Sequence, residues 1–173
     1  MPNHVVNELI FRGTDRATQA LILSKLCNDR GEVDFEILVP SPINIWLGSV
    51  GRIHTDTFPD THLDWARKNW GTKWNAYSQK PTEQTEDTLT LRFETAWRPP
   101  YGWLVAIFNT FKCSFEHNWF SEGEDRGRAG KWNYAGLDDL DGLSSWEETD
   151  ADDDLQKHLH VLQWGVENLE EIA

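Results

Sequence analysis

Between residues 88 and 119 the spacing of apolar side chains changes period twice, and few folds accommodate that change. Leu89, Leu91, Phe93, Thr95 and Trp97 alternate with Thr90, Arg92 and Glu94, the pattern of a half-buried strand. Pro99 and Pro100 then open a helix, where a missing N–H does no harm because the first amides of a helix have no partner within it. Its inward stripe is Leu104, Ile107, Phe108 and Phe111, spaced i, i+3, i+4, i+7. Alternation returns in Cys113, Phe115, His117 and Trp119. Glu122, Gly123, Glu124 and Asp125 supply turn chemistry, so residues 127–134 are expected to come back as a hairpin partner.

The N-terminal part reads similarly. Val5, Val6, Leu9, Ile10 and Phe11 are strand formers, and Gly13 ends the run. Thr14 or Asp15 can cap a helix carrying Ala17, Ala20, Leu21, Leu23 and Leu26. After Gly31, residues 33–39 read as a second strand closed by Pro40 and Pro42. The middle, 41–81, is less regular. Asp60 or Thr61 can cap a short helix through Leu63, Ala66 and Arg67, which Asn69 and Gly71 would end.

Two β-α-β units in one small chain imply an α+β fold: a ferredoxin-like split β-α-β with an antiparallel sheet, an extra hairpin and a C-terminal helix. Both helices of the core should share one face, leaving the other to the hairpin, the middle segment or solvent. The expected organisation is a single domain, 1–173. It comprises a core over 1–135 with an insertion at 41–81, an acidic segment at 136–154 and a closing helix at 155–171. That helix would bury Leu155, Leu159, Leu162, Val166 and Leu169.

Charge narrows the function classes. With 16 Lys and Arg against 29 Asp and Glu, the formal charge is −13, so direct nucleic-acid binding is disfavoured. Such a chain suits a partner that is basic. Cys27 and Cys113 have no metal-type spacing and read as reduced thiols. The first residues lack a signal-peptide core, because Asn7 and Glu8 break the apolar run, and no run is long enough to span a bilayer. The expectation is a cytoplasmic protein with no membrane partner; oligomeric state stays open.

Common catalytic signatures are absent from the sequence, and no cofactor or metal is implied. Five features bear on function. In the stretch NWGTKWNAY, residues 69–77, Trp70, Trp74 and Tyr77 could stack on a planar ligand. Lys73 and Asn75 would then supply polar contacts. The competing reading, which we favour from the residues alone, is that these rings close the core around a turn at Gly71. Arg98 beside Trp97 could be a rim residue, but the corner's prolines are explained by helix entry alone. His117 reads as a hydrogen-bonded core histidine; neighbouring Glu116 must point to the opposite face. His158 and His160 are two positions apart on a helix and do not converge on a metal.

The acidic segment contains Asp138, Asp139, Asp141, Glu147, Glu148, Asp150, Asp152, Asp153 and Asp154 without a Lys or Arg between them. Its functional reading is a partner-binding surface that mimics phosphates; its structural reading, favoured from the residues alone, is a solvated loop.

Several stretches together resemble the YubB-like family of phage- and plasmid-borne proteins. They are the opening Met1 to Val5 with Asn7, the 69–77 stretch, Thr95 to Trp97 with Pro99 and Pro100, and residues 119–130 with Glu122, Gly123 and Gly130. The resemblance covers roughly 1–135 and leaves out the acidic segment and closing helix. It implies a ferredoxin-like fold and a mobile-element origin, and no activity. The leading functional expectation is therefore a non-enzymatic accessory protein that binds a basic host protein, as a DNA mimic or an anti-defence inhibitor. The alternative is a small-ligand or nucleotide-binding protein, or an enzyme, built on Trp70, Lys73, Trp74, Asn75 and Tyr77.

Overall fold

In the computed structural model, which describes residues 3–47, 52–57, 61–134 and 145–165, one six-stranded antiparallel sheet organises the chain. Its centre is β1 (His4–Arg12), flanked by β3 (Thr88–Ala96) and β4 (Phe115–Ser121). Outside β3 lies β2, only Glu83–Gln84. Beyond β4 come β5 (Arg126–Asn133) and β6 (Ser145–Asp150), giving the order β2-β3-β1-β4-β5-β6. The first four strands have the ferredoxin-like order, and β5 and β6 extend it.

The lack of alternation in β1 has a simple cause. Val5, Leu9 and Phe11 face the helices while Val6 and Ile10 face the opposite side, and all are buried. A central strand covered on both faces needs apolar residues in succession.

One face carries α1 (Arg16–Leu26) and α5 (Tyr101–Phe111) over a core of Leu9, Phe11, Leu91, Phe93, Trp103 and Phe108. Asp15 caps α1 by accepting from the Thr18 amide at 2.7 Å. The buried stripe of α1 is Gln19, Ile22 and Leu26, whereas Ala17, Ala20 and Leu21 face solvent, so the helix is rotated from the expected face. Gln19 explains the rotation. Its amide donates to the carbonyls of Thr14, at 2.9 Å, and Thr85, at 3.3 Å, pinning the helix start to the chain before β3.

The expected strand at 33–39 is corrected. The segment makes one bridge, Cys27 to Val33, and then winds into the short helix α2 (Phe35–Leu38). Asp34 caps that turn through the Glu36 amide, and Phe35 inserts among the rings of Trp70, Phe93 and Trp103. The second core strand is β2 instead, far later in the sequence. Two further helices, α3 (Arg52–Thr57) and α4 (His62–Asn69), precede it, the latter capped by Thr61.

The other face is covered in part by α6 (Asp153–Trp164). Leu155, Leu159 and Leu162 pack over Val6 and Phe120; Val166 and Leu169 lie outside the described residues. Beside them sits Glu8, its side chain only 4% exposed. Its Oε1 accepts from Arg92 Nε at 2.7 Å and lies 2.9 Å from His158 Nε2. Arg92 also pairs with Glu83. Residues 145–150 also correct the reading of 136–154 as a loop: they form a sheet strand paired with β5 along its length. No helix among the described residues is long and apolar enough to cross a membrane.

His117 lies fully inside the helix-side core, 3.1 Å from Asn7 Oδ1 through Nε2, with its ring edge toward Tyr101. Glu116, on the opposite face, pairs with Arg12 at 2.9 Å. Burial depresses the His117 imidazole to about 3. An unfolded chain therefore takes up this proton near pH 6.5 while the folded chain refuses it, and folding stability falls as pH drops between those values. The expected slope is about 1.4 kcal/mol per pH unit below pH 6. Urea titrations of wild type and His117→Gln across pH 7 to 4.5 check this, the variant losing that part of the slope. Parallel pH curves would contradict it.

Candidate functional site

The 69–77 stretch gets its shape from the end of α4. Trp70 and Gly71 both donate to the Ala66 carbonyl, at 2.8 and 3.0 Å, closing the helix. Gly71 has φ +90°, a conformation side chains resist, and a Cβ there would sit 3.0 Å from the Tyr101 amide nitrogen. At Gly102 a Cβ would overlap the Asn69 carbonyl oxygen. The two glycines thus let the α4 end and the α5 start touch backbone to backbone, and the Trp103 amide donates to the Trp70 carbonyl at 3.3 Å.

This contact separates the five candidate ligand-binding residues. Trp70 is fully buried; its indole N–H donates to the Val39 carbonyl at 2.9 Å. Asn75 accepts from the Phe35 amide and donates to Asp34, holding α2 in place. Tyr77 bridges to Glu94 through its backbone, and its hydroxyl lies 2.8 Å from His4 Nδ1 and 3.1 Å from the Thr95 carbonyl. Burial, with help from Glu94 and Glu122, pushes the Tyr77 phenol up. Trp74 is the most exposed of the five, Lys73, Asn75 and Tyr77 are half-buried, and the Lys73 ammonium lies 4.5 Å from the Trp74 ring centre.

Lys73 instead joins the strand-to-helix corner. Its ammonium is also 4.5 Å from the centre of the Trp97 ring, and the Arg67 guanidinium is 4.7 Å from the same ring. Arg98 completes a cavity of about 290 Å³ floored by Gly71, Thr72 and Ala96. Trp97 adopts φ +75°, a left-handed conformation rare for a bulky residue. Its amide donates to the Asn3 carbonyl at 2.9 Å, and the Thr95 hydroxyl donates to the Arg98 carbonyl at 2.9 Å, which fixes the turn. Sequence reasoning singled out Arg98 and Lys73 separately and missed Arg67. The available signal was a set of cations at 67, 68, 73 and 98 in an otherwise acidic chain.

Among the acidic candidates, Asp138, Asp139 and Asp141 lie outside the described residues. Glu148 faces inward and accepts from Trp119 Nε1 at 2.7 Å and the Tyr101 hydroxyl at 3.1 Å. Asp150 binds Arg126 and Arg128, and Arg126 holds its carboxyl below the usual range. Asp152 caps α6 through the Leu155 amide at 2.9 Å. Asp153 and Asp154 occupy the first turn of α6, where a helix dipole favours anions. Glu147 is exposed and stands opposite Lys131 in the β5–β6 register.

The strand order, with two helices on one face and α6 on the other, defines a ferredoxin-like α+β domain with an appended hairpin and terminal helix. The chain belongs to the family described as the ferredoxin-like domain in Api92-like protein, whose model matches residues 70–162, just over half of the chain. The match starts at Trp70 and takes in the acidic segment and most of α6, so both are parts of this family's domain, although the YubB-like resemblance left them out. No curated protein and no solved structure matches the chain.

Proposed function

We propose that this is a non-catalytic accessory protein of a phage or plasmid, allied to the YubB-like proteins, that works in the host cytoplasm by binding a basic host protein. Mimicry of DNA, or inhibition of a host defence protein, is the concrete form. The carrying observation is the acidic far edge of the sheet. Glu147 on the last strand and Asp152, Asp153 and Asp154 at the head of α6 present exposed carboxylates, while between them Glu148 turns inward and Asp150 is paired with Arg126 and Arg128. The formal charge of −13 gives the same sign to the long-range field, which steers a basic partner inward.

The test uses host nucleic-acid-binding proteins retained by the immobilised protein at low salt. Charge reversal at Glu147→Lys, Asp153→Lys and Asp154→Lys together should slow association about tenfold and flatten its salt dependence. Free DNA should compete with the protein for the partner. Association unaltered by the three reversals would sink the proposal, and a partner indifferent to DNA would remove the mimicry.

A further inference from the structure

We propose that the cavity between α4 and the β3–α5 corner binds a small phosphorylated ligand of about mononucleotide size, a site distinct from the acidic edge. Three lines of geometry converge there. First, Arg67, Lys73 and Arg98 come from three separate stretches of chain and line one cavity. None of them takes part in an ion pair among the described residues. Arg67 and Lys73 crowd a single indole instead, and a cation–π contact leaves their charge uncompensated. A phosphate, with several acceptor oxygens, would satisfy all three.

Second, the ring they share is held in a strained backbone. A left-handed non-glycine residue costs about 1–3 kcal/mol, and such strain gathers at ligand clamps. The Asn3 and Arg98 carbonyls lock the Trp97 turn, and the residue is 43% exposed rather than packed in the core. Burial therefore does not explain the strained residue; presenting an indole face at the cavity does. A planar base would stack on that indole, or on Trp74, in place of a cation that moves from the ring onto the phosphate.

Third, size and field select the ligand. A cavity of 290 Å³ stands at the lower end of small-molecule sites. Screening over about 8 Å means that a ligand inside it feels chiefly the local cations. A long polyanion would also meet the remaining surface of a chain with formal charge −13, and be repelled. The last turn of α4 gives Arg67 and Lys68 a helix-dipole role as well, but that role does not account for Lys73 or Arg98, which lie outside the helix.

The experiment is calorimetric titration of the full chain, at low salt, with adenosine monophosphate, inorganic phosphate, adenosine and a short single-stranded oligonucleotide. Adenosine monophosphate should bind saturably, phosphate more weakly and adenosine not measurably. The pair Lys73→Ala with Arg98→Ala should weaken nucleotide binding by more than about tenfold without lowering the melting temperature, as neither side chain is buried. Trp97→Gly offers an independent reading: glycine accepts the backbone conformation, so the fold stays while the stacking face goes, and affinity should drop. Arg12→Ala, a cation elsewhere on the sheet, should leave binding unchanged. The proposal is overturned by no saturable binding of either phosphate compound, by binding indifferent to these variants, by adenosine matching its monophosphate, or by an oligonucleotide binding more tightly than the mononucleotide.

Discussion

Trp70→Ala should remove about 3–5 kcal/mol of folding stability, a large share of what a domain of this size possesses. The indole is wholly shielded from solvent and meets Phe35, His62 and Trp65 edge-on at 5.1 to 5.6 Å between ring centres. Truncation leaves a cavity that backbone contacts at Gly71 and Gly102 prevent from closing, and it orphans the Val39 carbonyl. Trp70→Phe retains most of the packing and should lose about 1–3 kcal/mol, chiefly for the unpaired carbonyl. Urea unfolding midpoints measure both. A loss under about 1 kcal/mol for the alanine variant would mean that the ring is not part of the core and would return it to the list of ligand contacts.

The second large effect belongs to Glu8. Removing one partner of a buried ion pair typically costs about 3–5 kcal/mol, and Glu8→Ala should fall at the lower end, because Arg92 keeps Glu83. Burial by itself would raise the Glu8 carboxyl, but hydrogen bonds from His158 and Arg92 outweigh it and hold the group below the ordinary glutamate range. A carboxylate depressed in the folded state adds stability above its unfolded value near 4.5, and that contribution disappears as pH falls through the folded value. Wild type should therefore lose stability steeply below pH 4.5, on top of the His117 effect at higher pH, and Glu8→Ala should lose less there. Chemical unfolding at pH 7 and pH 3.5 checks both the size and the sign. Equal losses in the two proteins would show that the Glu8 carboxylate is not held by His158 and Arg92.

Most of the fold is legible in the residues, and where the reading fails the cause is physical. The strand–helix–strand run from Leu89 to Trp119 declares itself because polar residues such as Thr90, Arg92, Glu94, Glu116 and Asn118 alternate with the apolar ones, so its period is visible even where the strands are buried on both faces. β2 does not, because two residues cannot show a period and neither Glu83 nor Gln84 is a strand former. Residues 33–39 mislead for the opposite reason. Valine, phenylalanine, isoleucine and leucine in close order suit a strand, yet Asp34 caps a helical turn and one aromatic ring fills the core. α1 is misread by one face because a buried glutamine has the better hydrogen bonds. The candidate cavity is half legible: Lys73 and Arg98 stand out by their neighbours in sequence, while their proximity in space depends on two glycines and a left-handed tryptophan. No local pattern announces that. In the sequence Glu8 reads only as an interruption in an apolar run, because its partners lie far along the chain at 92, 118 and 158.

The central position of β1 bears on synthesis in the cell. This strand precedes both of its neighbours, yet its hydrogen-bonding groups are paired only once the chain has been made through Ala96 on one side and Ser121 on the other. Until then a ribosome-borne intermediate displays Val5 to Phe11, apolar on both sides and open at both edges, which is the kind of segment that recruits chaperones or self-associates. Overproduction at low temperature, or alongside a holdase, should favour recovery of folded protein over inclusion bodies.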